Sequence, residues 1–246
     1  MLESYGEIIF LSHFMLVYMA SVNYDCPMAC ECDIDDETVN LSCRRTIPDT
    51  LPLNTRVVSI TDIEYEYLQQ SDFNNARWEN VTKLYLRGGS VNSVFSDTFW
   101  NVSNLTHLQI SFPNLKKISV NAFGQLTKLK TLDLSGNFLI SFDVVADALR
   151  VNEFTNNLDE LNLHSLAMFL TPSELKETFF LQLQRFSIKR LDLSQSNFKK
   201  LDLIALSYLG SSLEELRMVG VDLASLMSFF YMPLRHTCFQ ICSFST

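Results

Sequence analysis

The chain has 246 residues, of which 47% are hydrophobic and 19% charged, and its formal net charge at pH 7 is −9. This apolar content excludes general disorder, and 7 glycines and 6 prolines are too few for a collagen-like or low-complexity chain. No run of lysine or arginine forms a basic stripe, so we expect no nucleic-acid partner. Leucine, with 37 residues, is in excess, which suggests a repeating pattern.

An apolar stretch near the N-terminus predicts a secretory signal peptide. Residues 8–20 read IIFLSHFMLVYMA, which is too short for a membrane span of about 20 residues and fits the apolar region of a signal. We place the end of the signal near residue 22. The preceding segment is unusual because it carries Glu3 and Glu7 without a lysine or arginine. No later stretch has membrane length, so the sequence predicts no membrane span.

Cysteines occur only near the two ends of the chain. They are Cys26, Cys30, Cys32 and Cys43, and then Cys238 and Cys242. Zinc is the alternative for the first four, but their spacing lacks the paired C-x2-C motifs of zinc sites. We therefore favour disulfides, for which the sequence alone allows three pairings. Whether the last two pair with each other or remain free stays open.

Four N-x-[ST] sequons support export from the cell. They begin at Asn40, Asn80, Asn101 and Asn104. A single sequon is a weak motif, but four of them beside a cysteine cluster indicate N-glycosylation. We expect an extracellular protein, either secreted or held at the cell surface.

A leucine pattern repeats through the middle of the chain. Its clearest copy, residues 129–139, reads LKTLDLSGNFL. The second leucine of this pattern recurs as an apolar residue at positions 58, 84, 108, 132, 161, 191 and 216, in steps of 26, 24, 24, 29, 30 and 25 residues. Leu132 and Leu134 alternate with polar residues, as a half-buried strand requires.

This pattern resembles the leucine-rich-repeat family, whose period is about 20–29 residues. The resemblance covers about residues 39–228 and implies an α/β solenoid: short strands form a curved parallel sheet on the concave face, and irregular or helical segments fill the convex side. In the two longer repeats we expect convex helices, one over residues 141–149 and one starting at residues 171–175. The asparagine of the consensus occurs only at Asn137, so we expect disturbed turns in the other repeats.

Residues 26–53 resemble the N-terminal cysteine cap of extracellular leucine-rich-repeat proteins. That family pairs the first cysteine with the third and the second with the fourth, which implies Cys26–Cys32 and Cys30–Cys43. The acidic residues at 33–37 raise calcium as an alternative, but the spaced ligands and glycine of a calcium loop are missing, which favours a solvated turn.

The other end of the chain does not match the family. C-terminal caps carry four cysteines, whereas this tail has two, so we expect an incomplete cap in a truncated product, covered by residues 229–231 and prone to self-association. The expected organisation is a signal peptide at 1–22, the cysteine cap at 23–53, about seven repeats at 54–228 and an atypical tail at 229–246.

The resemblance implies a protein-recognition module similar to Toll-like, Slit-like and chaoptin-like extracellular proteins. It would bind a protein ligand through its concave face in cell adhesion or receptor signalling. One alternative is a secreted structural or matrix protein. Another is an intracellular scaffold, and the presence of N-glycans would exclude this second alternative. No catalytic motif is present, so we expect neither an enzyme nor a cofactor.

Candidate binding residues are those that lie between or beside the strand leucines, where side chains face the concave surface. Tyrosine and arginine are frequent anchors of protein interfaces. The predicted ligand-binding residues are Tyr85, Arg87, His107, Gln109 and Phe112, extended by Asp133, His164 and Asp192. The alternative is that they are ordinary solvated strand residues, and the two histidines in particular lack a partner at metal-binding spacing.

Overall fold

The computed structural model describes residues 25–35, 38–150, 158–201, 203–221 and 238–240. The predicted signal peptide, the residues expected to cover the last repeat, and Cys242 lie outside these ranges. Ten strands form the main sheet, which in spatial order contains β1 (Cys30–Asp35), β2 (Thr38–Arg44), β3 (Thr55–Ile63), β5 (Lys83–Gly89), β7 (His107–Ser111), β9 (Thr131–Asp133), β10 (Glu160–Asn162), β12 (Arg190–Asp192), β14 (Glu215–Arg217) and β15 (Cys238–Gln240).

Shorter elements lie on the return path of each repeat. Two small parallel sheets contain β4 (Tyr67–Leu68), β6 (Ser93–Val94) and β8 (Lys117–Ile118), and β11 (Ser173–Leu175) and β13 (Phe198–Leu201). The α-helices are α1 (Phe142–Ala148), α2 (Glu177–Leu183) and α3 (Leu203–Leu206). The 3-10 helices are Gln70–Phe73, Ala76–Asn80, Trp100–Val102 and Ser207–Ser212.

The apolar positions of the repeat set the register of the main sheet. Neighbouring strands from β2 to β15 pair in parallel, and between repeats each pair aligns the same repeat position, as Leu84 with Leu108 and Leu108 with Leu132. These side chains are at most 1% exposed. Because one repeat cannot bury its own leucines, stacking supplies the core. The chain has the expected leucine-rich-repeat solenoid fold.

Aromatic rings fill the side of the solenoid opposite the main sheet. Phe73, Phe99 and Phe123 occupy three successive repeats, with ring centroids 5.8 and 6.0 Å apart. All three are at most 2% exposed. Beyond them, Phe142 makes edge contacts with Phe179, at 5.6 Å, and with Phe198, at 5.7 Å. All these rings belong to one continuous buried core that spans both halves of the solenoid.

One expected convex helix is confirmed and the other begins later than predicted. Helix α1 starts after Ser141, whose Oγ accepts the Val144 amide at 3.3 Å as an N-cap. Residues 173–175 are not a helix start, because their backbone pairs in parallel with β13 as strand β11. Helix α2 begins only at Glu177. Pairing between repeats overrides the local helix signal that follows Pro172.

The turn at Ser196 keeps its hydrogen bonds although the consensus asparagine is missing there. Asn137 donates from Nδ2 to the Ile110 and Leu134 carbonyls, both at 2.7 Å, and accepts the Phe112 amide at 2.9 Å. Ser196 has the same role between the repeats of β10 and β12: its Oγ donates to the Leu163 carbonyl at 2.6 Å and accepts the Leu166 amide at 3.1 Å. The expected disturbance is therefore wrong for the Ser196 turn.

The N-terminal cap extends the sheet by a hairpin. Strand β2 pairs in parallel with β3, and β1 pairs antiparallel with β2. Disulfides join Cys26 to Cys32 and Cys30 to Cys43, the pairing that the resemblance implied. Leu41 is buried against the first repeat, so the hairpin shields its ladder residues from water. Exposed acidic residues on β1 oppose the addition of a further strand at this edge.

Candidate functional site

The polar side of the main sheet is the concave face, which we define as the outward-facing side chains of β2, β3, β5, β7, β9, β10, β12 and β14. On β5 the burial alternates, so that Leu84 and Leu86 point inward while Lys83, Tyr85 and Arg87 point outward. Parallel pairing places Tyr85 beside Gln109 of the next strand, and Gln109 beside Asp133 of β9. Stacking of the repeats therefore places residues that are 24 positions apart in the sequence side by side.

Four of the predicted residues form one connected cluster. The Nε of Arg87 donates to Oε1 of Gln109, and Nε2 of Gln109 donates to Oδ2 of Asp133 at 3.0 Å. The Arg87 guanidinium carbon lies 5.1 Å from the ring centroid of Tyr85, a cation–π contact. We call Tyr85, Arg87, Gln109 and Asp133 the concave cluster. It presents an aromatic surface beside a positioned guanidinium.

His107 lies on the same face, beside Lys83 of β5. Its Nδ1 is 2.8 Å from the hydroxyl of Thr106. Partial burial, followed by the positive charges of Lys83 and Lys130, lowers the pKa of His107 below its usual value, and Glu160 opposes this shift. The imidazole is therefore neutral at pH 7 and acts as a hydrogen-bonding group.

Phe112 does not belong to the surface, and its prediction as an anchor is corrected. It is 0% exposed. It lies two residues after Ile110 and four after Leu108, so the alternation of the strand directs it inward with them. A ligand on the concave face cannot reach this ring, which packs in the core.

The aspartates of the later strands form hydrogen bonds with the backbone at the strand ends. Oδ1 of Asp133 accepts the Ser135 amide, and Oδ1 of Asp192 accepts the Ser194 amide, both at 2.8 Å. Oδ1 of Asn162 likewise accepts the His164 amide at 3.0 Å. Each of these bonds ends a strand of only three residues. In the described part of the chain, no hydrogen bond links His164 or Asp192 to the concave cluster.

Lys83 is a concave-face residue that the sequence reasoning missed. Besides the positions between and after the strand leucines, the alternation also turns the residue before them outward. The same position holds Arg190 and Glu160, which form an ion pair at 2.9 Å. Extending the alternation one residue toward the N-terminus would have found all three.

The sequons differ in their surroundings. Asn80 is exposed, whereas Asn40, Asn101 and Asn104 are half-buried. Asn104 donates to the Glu79 carbonyl at 2.8 Å and accepts from Lys128 Nζ at 2.6 Å. Asn40 lies on the concave side of β2, between the buried Val39 and Leu41.

The residues that the structure describes contain no group of three or more histidine, cysteine, aspartate or glutamate side chains that could hold a metal ion. No helix among them is long and apolar enough to cross a bilayer.

Comparisons with known proteins agree with this architecture. A family model for leucine-rich repeats matches residues 79–139. The Toll protein of Drosophila melanogaster is 28% identical over 123 residues, which cover 46% of this chain and only 11% of that protein. The crystal structure of human 5T4, also named Wnt-activated inhibitory factor 1 or trophoblast glycoprotein, shares the fold with a TM-score of 0.66 at 24% identity, covering 87% of this chain and 79% of the other.

The chain therefore has a leucine-rich-repeat solenoid fold with an N-terminal cysteine cap, and its residues 79–139 match the leucine-rich-repeat family model.

Proposed function

We propose that this chain is an extracellular recognition module that binds a protein ligand through its concave face, in cell adhesion or receptor signalling. Its similarity to the Toll protein and its fold, shared with a protein named as a glycoprotein, support this setting. Disulfides persist mainly in oxidising compartments, so the two bonds of the cap favour an extracellular location.

The concave cluster is the observation that carries the proposal. Tyrosine and arginine are enriched among the residues that dominate the energy of protein interfaces. Here Arg87 is held by Gln109 and by the Tyr85 ring, and Gln109 is held in turn by Asp133. A side chain that is already ordered loses less conformational entropy when a ligand binds.

The proposed organisation follows the sequence: a signal peptide at 1–22, the cap at 23–53, repeats at 54–228 and a tail at 229–246. We further propose N-glycans at Asn40, Asn80, Asn101 and Asn104. A glycan on Asn40 would cover the concave side of β2 and direct ligands toward β5 and the later strands. A mass decrease of the secreted protein after treatment with peptide-N-glycosidase, mapped by peptide mass spectrometry, tests these sites; secretion without any such decrease contradicts them.

The binding proposal is tested with the double substitution Tyr85→Ala and Arg87→Ala. The full chain, displayed as a multivalent fusion, is screened against a panel of extracellular proteins, and surface plasmon resonance then measures the affinity of each hit. We expect the double variant to lose at least about tenfold in affinity, because two anchors of the interface are removed.

A matched control removes the same kinds of group elsewhere. Tyr67 and Lys117 lie in the separate sheet of β4, β6 and β8, so the double substitution Tyr67→Ala and Lys117→Ala leaves the concave face intact. Its affinity should stay within about twofold of the unsubstituted protein. Hits that bind the concave variant normally, while its circular dichroism spectrum is unchanged, would refute binding through this face.

A further inference from the structure

The cations of the concave face fall into two groups. Three of them have carboxylate partners within the chain: Arg44 with Asp62 at 3.0 Å, Arg190 with Glu160 at 2.9 Å, and Arg217 with Glu215 at 2.6 Å. Lys83 and Arg87 have no carboxylate within 4.0 Å among the described residues. Both project from β5 on the same side as Tyr85.

The acidic groups of the face do not balance these two charges directly. Glu160 and Glu215 are paired with arginines of their own neighbourhood. One oxygen of Asp133 accepts the Ser135 amide and the other accepts the Gln109 amide. On β5 itself both unpaired charges are therefore positive, whereas Asp133 and Asp192, which accept only neutral amides, place negative charge on β9 and β12. The pKa of neighbouring His107 is lowered first by burial and then by the positive charge of Lys83, which Glu160 opposes.

Arg87 is positioned in a way that leaves its binding edge available. The intramolecular bond uses Nε, and the guanidinium lies over the Tyr85 ring. The terminal Nη1 and Nη2 groups have no hydrogen-bond partner in the described part of the chain. These two nitrogens form the planar fork that binds a carboxylate with two parallel hydrogen bonds.

We propose that β5 is the docking site for an acidic, extended segment of the protein ligand, with one carboxylate on Arg87 and a second near Lys83. This inference rests on the proposed function and names the chemistry of the partner. Residues in a strand rise about 3.3 Å each, so the backbone positions of Lys83 and Arg87 are about 13 Å apart. An extended segment with acidic residues at positions i and i+4 matches this distance, and its residue at i+2 would lie over Tyr85.

A sulfated polysaccharide is a less suitable anion for this site. Such polymers bind where several cations form a continuous basic surface, and their attraction grows with the number of cations they contact. Here two unpaired cations flank an aromatic ring, and Arg44, Arg190 and Arg217 elsewhere on the sheet are already paired with carboxylates. A short segment that carries two carboxylates and one apolar side chain uses all three groups.

The test selects ligands without assuming their sequence. A displayed library of random nine-residue peptides is selected on the full chain and then sequenced. We expect enriched peptides to carry two acidic residues separated by three others, and their affinity to fall by at least about tenfold for the double substitution Lys83→Gln and Arg87→Gln. The affinity should also fall as the salt concentration rises, because the contacts are between charges.

The control variant carries Arg190→Gln and Arg217→Gln, which remove two paired cations from the same face. It should bind the selected peptides within about twofold of the unsubstituted protein, and all three proteins should melt at similar temperatures. Neutral or basic enriched peptides, absence of enrichment, or equal loss in both double variants would overturn the inference. So would binding of heparin in place of acidic peptides. Neutral peptides whose affinity falls with Tyr85→Ala would overturn this inference while supporting ligand binding by the concave face.

Discussion

Gly89 lies against the backbone of the preceding repeat, with a φ of +94°. A Cβ at this position would overlap the carbonyl group and the amide nitrogen of Ile63, which are backbone atoms and cannot turn aside. Gly220 also has a positive φ, of +70°, but its Cβ would meet only the flexible side chain of Gln195 at 3.4 Å. Both glycines have a left-handed backbone conformation, but only at Gly89 would a Cβ also clash with backbone atoms. Comparing alanine substitutions at the two positions therefore separates the two energetic costs.

Substitution Gly89→Ala should lower the free energy of unfolding by about 3 kcal/mol or more, since it adds overlap to the left-handed conformation. Gly220→Ala should cost only about 1–2 kcal/mol, the penalty of that conformation for a residue with a Cβ. Unfolding in guanidinium chloride, monitored by circular dichroism, measures both values. Equal losses would show that the Ile63 backbone yields to the added methyl group.

His107 makes the stability of the fold depend on pH. Its pKa in the folded chain is lowered, first by burial and then by Lys83 and Lys130, whereas the pKa of histidine in an unfolded chain is about 6.5. The unfolded chain therefore takes up the proton first, so the stabilisation is fully present above about pH 6.5 and is lost as the pH falls through the folded pKa. A His107→Gln variant should lose less stability than the unsubstituted protein between pH 7 and pH 5. Urea unfolding at several pH values measures this, and parallel curves for the two proteins would contradict it.

The two cap disulfides join loops of different size around the hairpin of β1 and β2. Cys30–Cys43 spans a sequence separation of 13, and Cys26–Cys32 spans 6. Chain entropy alone predicts a contribution of about 3 kcal/mol for the larger loop and about 2 kcal/mol for the smaller. Cys43 is also 4% exposed and packs in the core, so its loss removes apolar contacts as well.

Replacing Cys30 and Cys43 by alanine should therefore destabilise the protein more than the same change at Cys26 and Cys32. The free energy of unfolding in guanidinium chloride, measured for both double variants without reductant, provides the comparison. A larger loss for the Cys26 and Cys32 pair would mean that the segment before β1 matters more than the covalent link between β1 and β2.

The strand elements could be predicted from the sequence because a leucine position recurs within a narrow range of spacings. Leu132 and its equivalents identify each other by position, and alternation then assigns a face to their neighbours. The same rule would have placed Phe112 inside, yet its aromatic character led to its selection as a surface anchor. For Phe112, position relative to the strand predicts burial better than the chemical type of the side chain does.

The turn elements could be predicted only in part. The consensus names asparagine, whose amide can donate and accept at once, and Asn137 does both. A serine hydroxyl can also donate and accept, and Ser196 does so at 2.6 Å and 3.1 Å. A pattern of residue names does not contain this equivalence. The hydrogen bonds within the concave cluster were likewise hidden, because they depend on side-chain rotamers across three strands.

At the scale of the whole molecule, the main sheet changes character along its length. Strands β3, β5 and β7 have nine, seven and five residues, whereas β9, β10, β12 and β14 have three each. The short strands β9, β10 and β12 end where an aspartate or asparagine accepts the backbone amide two residues later. The half of the solenoid near the cap therefore has longer strand pairing, and the other half relies more on side-chain bonds and on α1 and α2.

Hydrogen exchange should reflect this division. Amides of β3, β5 and β7 should be protected for longer than those of β9, β10, β12 and β14, because local opening is easier where each strand has fewer paired residues. In a stacked solenoid, stability is close to a sum of repeat and nearest-neighbour contributions, so damage in one repeat should act mainly on its neighbours.

Two buried phenylalanines allow this locality to be tested. Phe99 is 0% and Phe179 is 1% exposed, so replacing either by alanine should cost about 3–5 kcal/mol. Phe99→Ala should reduce protection mainly in β5 and β7, and Phe179→Ala mainly in β10 and β12, as peptide-level exchange mass spectrometry would show. A uniform loss of protection across the sheet in both variants would mean that the repeats unfold as a single cooperative unit. In that case the cap and the concave cluster would share the stability of the last repeat, and substitutions anywhere in the solenoid would weaken ligand binding indirectly.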